Sequence, residues 1–283
     1  MVVDFHTHTF PQIIAKRALQ RLSDASGTPP YLDGTAPSLR ASMVQAGISC
    51  SVMLPVATDP GKCRHINDAS AAENGKNGLI YFGAMHPDCP DWKQELERIA
   101  AMGFRGVKLH PVYQGVDLDD PRYLRILECA GQLGLIVVTH AGDDIGFPGE
   151  VRCSPEIAQN ALRQVGPVRL VLAHMGGWNN WERVAPLAEE PAVYLDTAFS
   201  TGMVPTRPDG RFGGKPLSLL SEDAFLRLVR LFGADRILFG TDSPWSPQAE
   251  SLSWMRALPL TGLEKDAILG GNAARLLGLQ VVL

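Results

Sequence analysis

Short apolar, β-branched runs alternate with longer amphipathic stretches along the chain, and the alternation repeats eight times. The runs predict strands at Val2–His8, Ile48–Val56, Leu79–His86, Gly106–His110, Leu135–His140, Arg169–His174, Val193–Phe199 and Ile237–Asp242. Several are almost unbroken, as in Leu135-Ile136-Val137-Val138, which suits strands covered on both faces. Between the third and fourth runs, Trp92, Leu96, Ile99 and Ala100 share one helical face while Lys93, Glu95, Glu97 and Arg98 turn mostly to water. Asp91 is placed to cap that helix and Gly103 to end it. After the fourth run, Tyr123, Leu124, Ile126, Leu127, Ala130 and Leu133 repeat the pattern, with Pro121 suited to the first turn. Glu222–Phe232 and Glu264–Leu277 predict later helices, and Gln12–Ser23 predicts an extra helix after strand one.

Strand–helix alternation sustained this long implies a parallel sheet. Eight units without a second composition regime favour a closed (β/α)8 TIM barrel over 1–283 as one domain; an open doubly wound sheet is the alternative. A length of 283 residues fits such a barrel. The proline- and glycine-rich stretch from Thr201 to Pro216 follows strand seven, where a lid over the catalytic face would lie.

Composition narrows the partners. The chain is 45% hydrophobic and 20% charged, with a net charge of −4. No run of basic residues suggests nucleic acid or an anionic membrane surface. Neither a membrane span nor a signal peptide is visible, so a cytoplasmic protein acting on a small molecule is expected, alone or as a homo-oligomer. The five cysteines form no C-x-x-C pair and read as free thiols, Cys153 in a polar loop among them.

Candidate chemistry lies in the histidines. Six of seven fall in or at the ends of predicted strands: His6, His8, His86, His110, His140 and His174. Carboxyl ends of barrel strands converge on one face, where catalytic groups sit. His6 and His8 are two apart in a strand and project the same way, as a ligand pair or as ordinary polar residues. His140 and His174 each end an apolar run and need a partner, a metal or a reacting group among the options. Glycines after each, Gly142 and Gly176-Gly177, allow a sharp turn and leave room for a ligand. Asp242 ends the run Ile237-Leu238-Phe239-Gly240-Thr241 as ligand, general base or helix cap.

These motifs, in this order across the whole chain, resemble the amidohydrolase superfamily, and within it the amidohydrolase 2 branch. That branch holds small barrel hydrolases and nonoxidative decarboxylases of the aminocarboxymuconate-semialdehyde type. The resemblance implies a divalent metal, often zinc, on His6, His8, His140 and Asp242. It places His174 beside the metal-bound water, with Asp242 able to take that water's proton. In binuclear relatives a strand-four lysine is carbamylated and bridges two ions. Lys108, two residues before His110, is either that lysine or a cation for a substrate carboxylate; one ion is the favoured expectation. Arg152, Tyr113 and Trp178 are nominated as substrate contacts on loops after strands. The expected reaction is hydrolysis of an amide, ester or lactone bond, with nonoxidative decarboxylation of an unsaturated or aromatic acid as the alternative on the same site.

Overall fold

A computed structural model describes residues 1–280 of the chain. The strands are β1 Val3–Thr7, β2 Cys50–Met53, β3 Leu79–Tyr81, β4 Gly83–Ala84, β5 Gly106–Leu109, β6 Ile136–Thr139, β7 Arg169–Leu172, β8 Val193–Asp196, β9 Met203–Val204, β10 Leu217–Ser218 and β11 Ile237–Leu238. The helices are α1 Gln12–Ser26, α2 Ala36–Ala46, α3 Cys63–Glu73, α4 Trp92–Ala101, α5 Pro111–Gln114, α6 Pro121–Gln132, α7 Pro155–Gln164, α8 Glu222–Phe232, α9 Gln248–Ala257, α10 Gly262–Asp266 and α11 Asn272–Leu277. Two compact units result. One comprises Met1–Met53, Ile145–Pro148 and Asp196–Leu283, and the other Leu54–Asp144 and Gly149–Leu195.

In the first unit β1 pairs in parallel with β2. On its other side Phe5 N donates to Phe239 O and Asp242 N to His6 O, so residues 237–243 run alongside β1. The predicted strand Ile237–Asp242 keeps regular pairing only at β11. Beyond it, side chains take over the ladder: Thr197 Oγ1 accepts from Gly240 N, and Asp4 Oδ1 accepts from Thr241 N. The predicted helix Glu264–Leu277 contains a π turn at Ala267–Gly271 between α10 and α11. The wider turn releases Ile268 O, which accepts from Phe239 N at 3.0 Å. The extra helix after strand one is α1. The stretch after β8 is a hairpin of β9 with β10, and it is fastened to the end of α1 by Arg207, whose N donates to Gly27 O and whose guanidinium pairs with Asp24.

The second unit holds β4, β5, β6, β7 and β8 as consecutive parallel neighbours. Val107, Leu109, Val137, Val138, Leu170 and Leu172 are buried throughout, as strands covered on both faces require. The predicted strand Leu79–His86 is broken at Phe82 into β3 and β4. Asn74 Oδ1 takes Tyr81 N, and the Asn67 amide bonds both Ala84 N and Ala84 O, so side chains occupy backbone groups that a neighbouring strand would otherwise fill. Asp120, Ser154 and Ser221 cap α6, α7 and α8, the first two with Pro at N1, whereas Asp91 makes no side-chain cap to α4. No helix among the described residues is long and apolar enough to cross a membrane.

Gly142 has φ +85, and a Cβ there would meet Trp178 N at 2.2 Å and Trp178 O at 2.3 Å. The space after His140 is therefore filled by backbone, in contrast to the expectation of room for a ligand. Gly142→Ala is expected to lower the thermal midpoint by roughly 6–12 °C, about 3 kcal/mol, through strain plus overpacking. Calorimetry checks this, and a shift below about 2 °C would show that the 178 segment yields freely.

Candidate active site

Alternation along β1 puts Asp4, His6 and His8 on one side of the strand. His6 Nε2 lies 3.1 Å from His8 Nε2 and 3.5 Å from Asp242 Oδ1, and His8 Nε2 is 3.1 Å from the same oxygen. His6 Nδ1 is 2.8 Å from Asp196 Oδ2. A carboxylate only accepts, so His6 carries its proton on Nδ1 and keeps a lone pair on Nε2, facing the other two groups. Asp242 has φ +63, a conformation fixed by the bond from its N–H to His6 O. Gly240 gives His6 its place: a Cβ there would stand 3.0 Å from the His6 Cβ.

Beneath these groups lies Asp4, which is fully buried. It accepts from His6 N, Thr241 N, Thr241 Oγ1 and Gln248 Nε2. Burial pushes its carboxyl up to about 6 and the four donors pull it back down.

The donor set suits a divalent cation. Two atoms each about 2.1 Å from one ion stand about 3.0 Å apart at a right angle and about 3.4 Å apart at the tetrahedral angle. The three separations among His6, His8 and Asp242 match that span. Two imidazoles and one carboxylate also leave positions for water or substrate, the composition of a catalytic site.

In the second unit the strand register aligns further imidazoles. Leu109 pairs with Thr139, so His110 and His140 follow side by side, and their rings stack at 4.5 Å. His140 Nε2 is 3.2 Å from Asp143 O, a pure acceptor, so that nitrogen bears the proton. His140 Nδ1 then accepts from His174 Nε2, 3.0 Å away. His110 Nδ1 accepts from Tyr113 N, which leaves its proton on Nε2, 3.6 Å from Asp144 Oδ2. His110, His140 and Asp144 could together hold an ion by proximity alone. The tautomers oppose this, because both Nε2 atoms nearest Asp144 carry hydrogen.

The other nominated residues are distributed as follows. Lys108 is buried in β5, two before His110 and on the same side of the strand. Tyr113 stacks on His110 with centroids 3.8 Å apart. Trp178 meets Trp181 edge to face, and its backbone N donates to Ala141 O. The Arg152 guanidinium is already paired with Asp117 and Glu150. Cys153 is fully buried and its thiol is pushed up to about 12, so it is a packing residue.

Sequence reasoning missed Asp4, Asp196, Asp144 and Gln114. Asp196 ends Val193-Tyr194-Leu195 just as Asp242 ends its own run, and that parallel was the available signal. Gln114 carried none. Its Nε2 donates to Ala57 O and Met85 O, while its Oε1 accepts from His110 N and the Tyr123 hydroxyl, so one amide ties three loop segments together.

Comparison with known proteins gives this geometry a family. A 2-amino-3-carboxymuconate-6-semialdehyde decarboxylase of Dictyostelium discoideum is 27% identical over 243 residues, 77% of this chain and 66% of that protein. The chain thus spans just under two thirds of that relative's length. Among solved structures, an uncharacterised TIM-barrel protein of Bordetella bronchiseptica superposes with a TM-score of 0.73 at 20% identity, covering 98% of both chains. A dihydroxybenzoic acid decarboxylase of Polaromonas, with bound manganese and the inhibitor 2-nitroresorcinol, gives 0.69 at 18% identity over 98% of this chain and 97% of that one. A putative 2-pyrone-4,6-dicarboxylic acid hydrolase of Pseudomonas putida gives 0.66 at 18% identity over 99% and 98%. These likenesses show the fold, a (β/α)8 TIM barrel. The sequence pattern of the amidohydrolase family (amidohydrolase 2) matches residues 3–279, and the chain belongs to that family of enzymes.

Proposed function

We propose that this protein is a metal-dependent nonoxidative decarboxylase of a small unsaturated or aromatic carboxylic acid, with a divalent cation held by His6, His8 and Asp242. The carrying observation is the set of three ligand-to-ligand separations, 3.1, 3.1 and 3.5 Å, with His6 fixed in its ligating tautomer by Asp196. The reaction class is supported by the decarboxylase relative and by the manganese-containing decarboxylase of the same fold. Hydrolysis, placed first on sequence grounds, yields to decarboxylation. The hydrolase of the same fold keeps it as the reading to be tested against.

Loss of CO2 from an acid anion leaves an electron pair on carbon, and a proton must replace the departing group. When bound, the cation would draw substrate oxygens into place and stabilise negative charge that spreads over the unsaturated system. Asp196 keeps the His6 imidazole neutral and aimed. Asp242 offers a second oxygen besides Oδ1, able to hold a proton. In the second unit, the aligned N–H groups of His174 and His140 form a short relay in which a proton lost from one ring is replaced through the next.

Purified holoprotein incubated with a panel of hydroxybenzoates and unsaturated dicarboxylates is expected to release one CO2 per acid consumed. Formation of a new carboxylate or alcohol without CO2 would support hydrolysis instead. Elemental analysis should find near one ion per chain, and two would place a second ion at His110, His140 and Asp144. Asp242→Asn should fold normally yet lose at least about 10³-fold in turnover, since ligand charge and proton acceptor go together. Asp196→Asn should weaken metal affinity about 10–100-fold, measured by competition with a chelating dye; unchanged affinity would remove Asp196 from the metal centre.

A further inference from the structure

His86 has no role in the metal site or in the relay just described, yet its surroundings are unusual for a packing histidine. It follows β4, whose Ala84 pairs with Lys108 of β5, and Met85 N continues that ladder to Lys108 O. Extending the register sets His86 level with His110, which in turn is level with His140. One row of three imidazoles therefore crosses adjacent strands at their carboxyl ends. The Gln114 amide holds this row: it bonds Met85 O, immediately before His86, and His110 N.

The proton of His86 can be located. Its Nδ1 accepts from Asp88 N at 3.1 Å, so the neutral ring carries hydrogen on Nε2. The side chain is only 5% exposed, and its Nε2 has no hydrogen-bond partner among the described residues. Burial pulls the imidazole below its ordinary range, against the opposing pull of Asp88 and Asp59; Arg122, which itself pairs with Asp88, adds to the lowering. The ring thus stays neutral at pH 7, with one N–H donor committed to nothing in the protein. Buried donors of this kind are rare unless an oxygen arrives to meet them.

We propose that His86 Nε2–H is a specificity determinant that donates to an oxygen substituent of the acid other than the departing carboxylate: a phenolic or enolic hydroxyl, or a second carboxylate. The distinction follows from charge. A donor on the departing carboxylate stabilises negative charge that vanishes as CO2 leaves, and so opposes the reaction. A donor on a retained oxygen helps while electron density rises in the unsaturated system. The assignment rests on the decarboxylase reading above.

The test is calorimetric titration of metal-loaded wild type, His86→Leu and His86→Gln with 2,6-dihydroxybenzoate and with benzoate, which lacks the extra oxygens. His86→Leu is expected to bind 2,6-dihydroxybenzoate about tenfold more weakly with benzoate unaffected. His86→Gln, whose amide N–H reaches the Nε2 position, should stay within about threefold of wild type for both. Equal losses for the two ligands would mark a structural role, and no loss would remove His86 from substrate binding; either result overturns the proposal. Should His86→Leu fail to fold by circular dichroism, His86→Asn replaces it: its shorter amide reproduces Nδ1 rather than Nε2, and it must lose the preference that His86→Gln retains. If wild type binds neither acid, the decarboxylase reading fails and this assignment falls with it. That outcome is distinct from binding that is indifferent to residue 86.

Discussion

The buried carboxylate of Asp4 is the constraint on which the metal centre depends. It gathers His6 N, both donors of Thr241 and the Gln248 amide around one negative charge. Two segments more than two hundred residues apart in sequence are joined there, one carrying His6 and His8, the other carrying Asp242. Each donor needs that carboxylate, because all four are buried away from water. Asp4 touches no ligand atom, yet removing its charge would release both halves of the site. Asp196 complements it from the layer above, fixing the ring that the backbone has already placed.

The second unit orders its imidazoles by different means. Parallel register brings His86, His110 and His140 to the same height, and backbone groups then choose their tautomers: Asp88 N, Tyr113 N and Asp143 O. A neutral imidazole has one donor and one acceptor, so each backbone contact decides what the opposite nitrogen can do. The outcome is a group of rings whose outward atoms are mostly donors. It is suited to oxygen-rich anions and proton traffic, in contrast to the lone pairs that converge around Asp242.

Much of this was legible in the chain. The strand periods placed nearly every strand, because runs such as Val137-Val138 have no reading other than a covered strand. His6, His8 and Asp242 stood out as polar residues at the ends of such runs. What could not be read was the substitution of side chains for backbone partners. Nothing marks Asn67 as the residue that completes Ala84, or Thr197 as the partner of Gly240, so Leu79–His86 and Ile237–Asp242 looked like single intact strands. Asp196 and Asp4 were obscured for a related reason: a carboxylate beside a strand end resembles a helix cap until its partners are known. Helices α2, α7 and α9 went unpredicted, and α9 carries Gln248. Gly142 suggested open space because a glycine's empty side can be filled by a ligand or by another stretch of chain, and only geometry distinguishes the two.

The π turn at Ala267–Gly271 has a consequence for how the chain tolerates change. By holding one residue more than a regular helix would, it rotates everything after it by about a hundred degrees. That rotation brings the Asn272 amide onto Ala234 O and Ile237 O. Deleting a residue here would make the helix more regular and the protein worse: Ile268 O would be withdrawn into the helix, Phe239 N would lose its acceptor, and the segment leading to Asp242 would come adrift at its root. An irregularity that looks dispensable in the helix is thus where length itself is under selection.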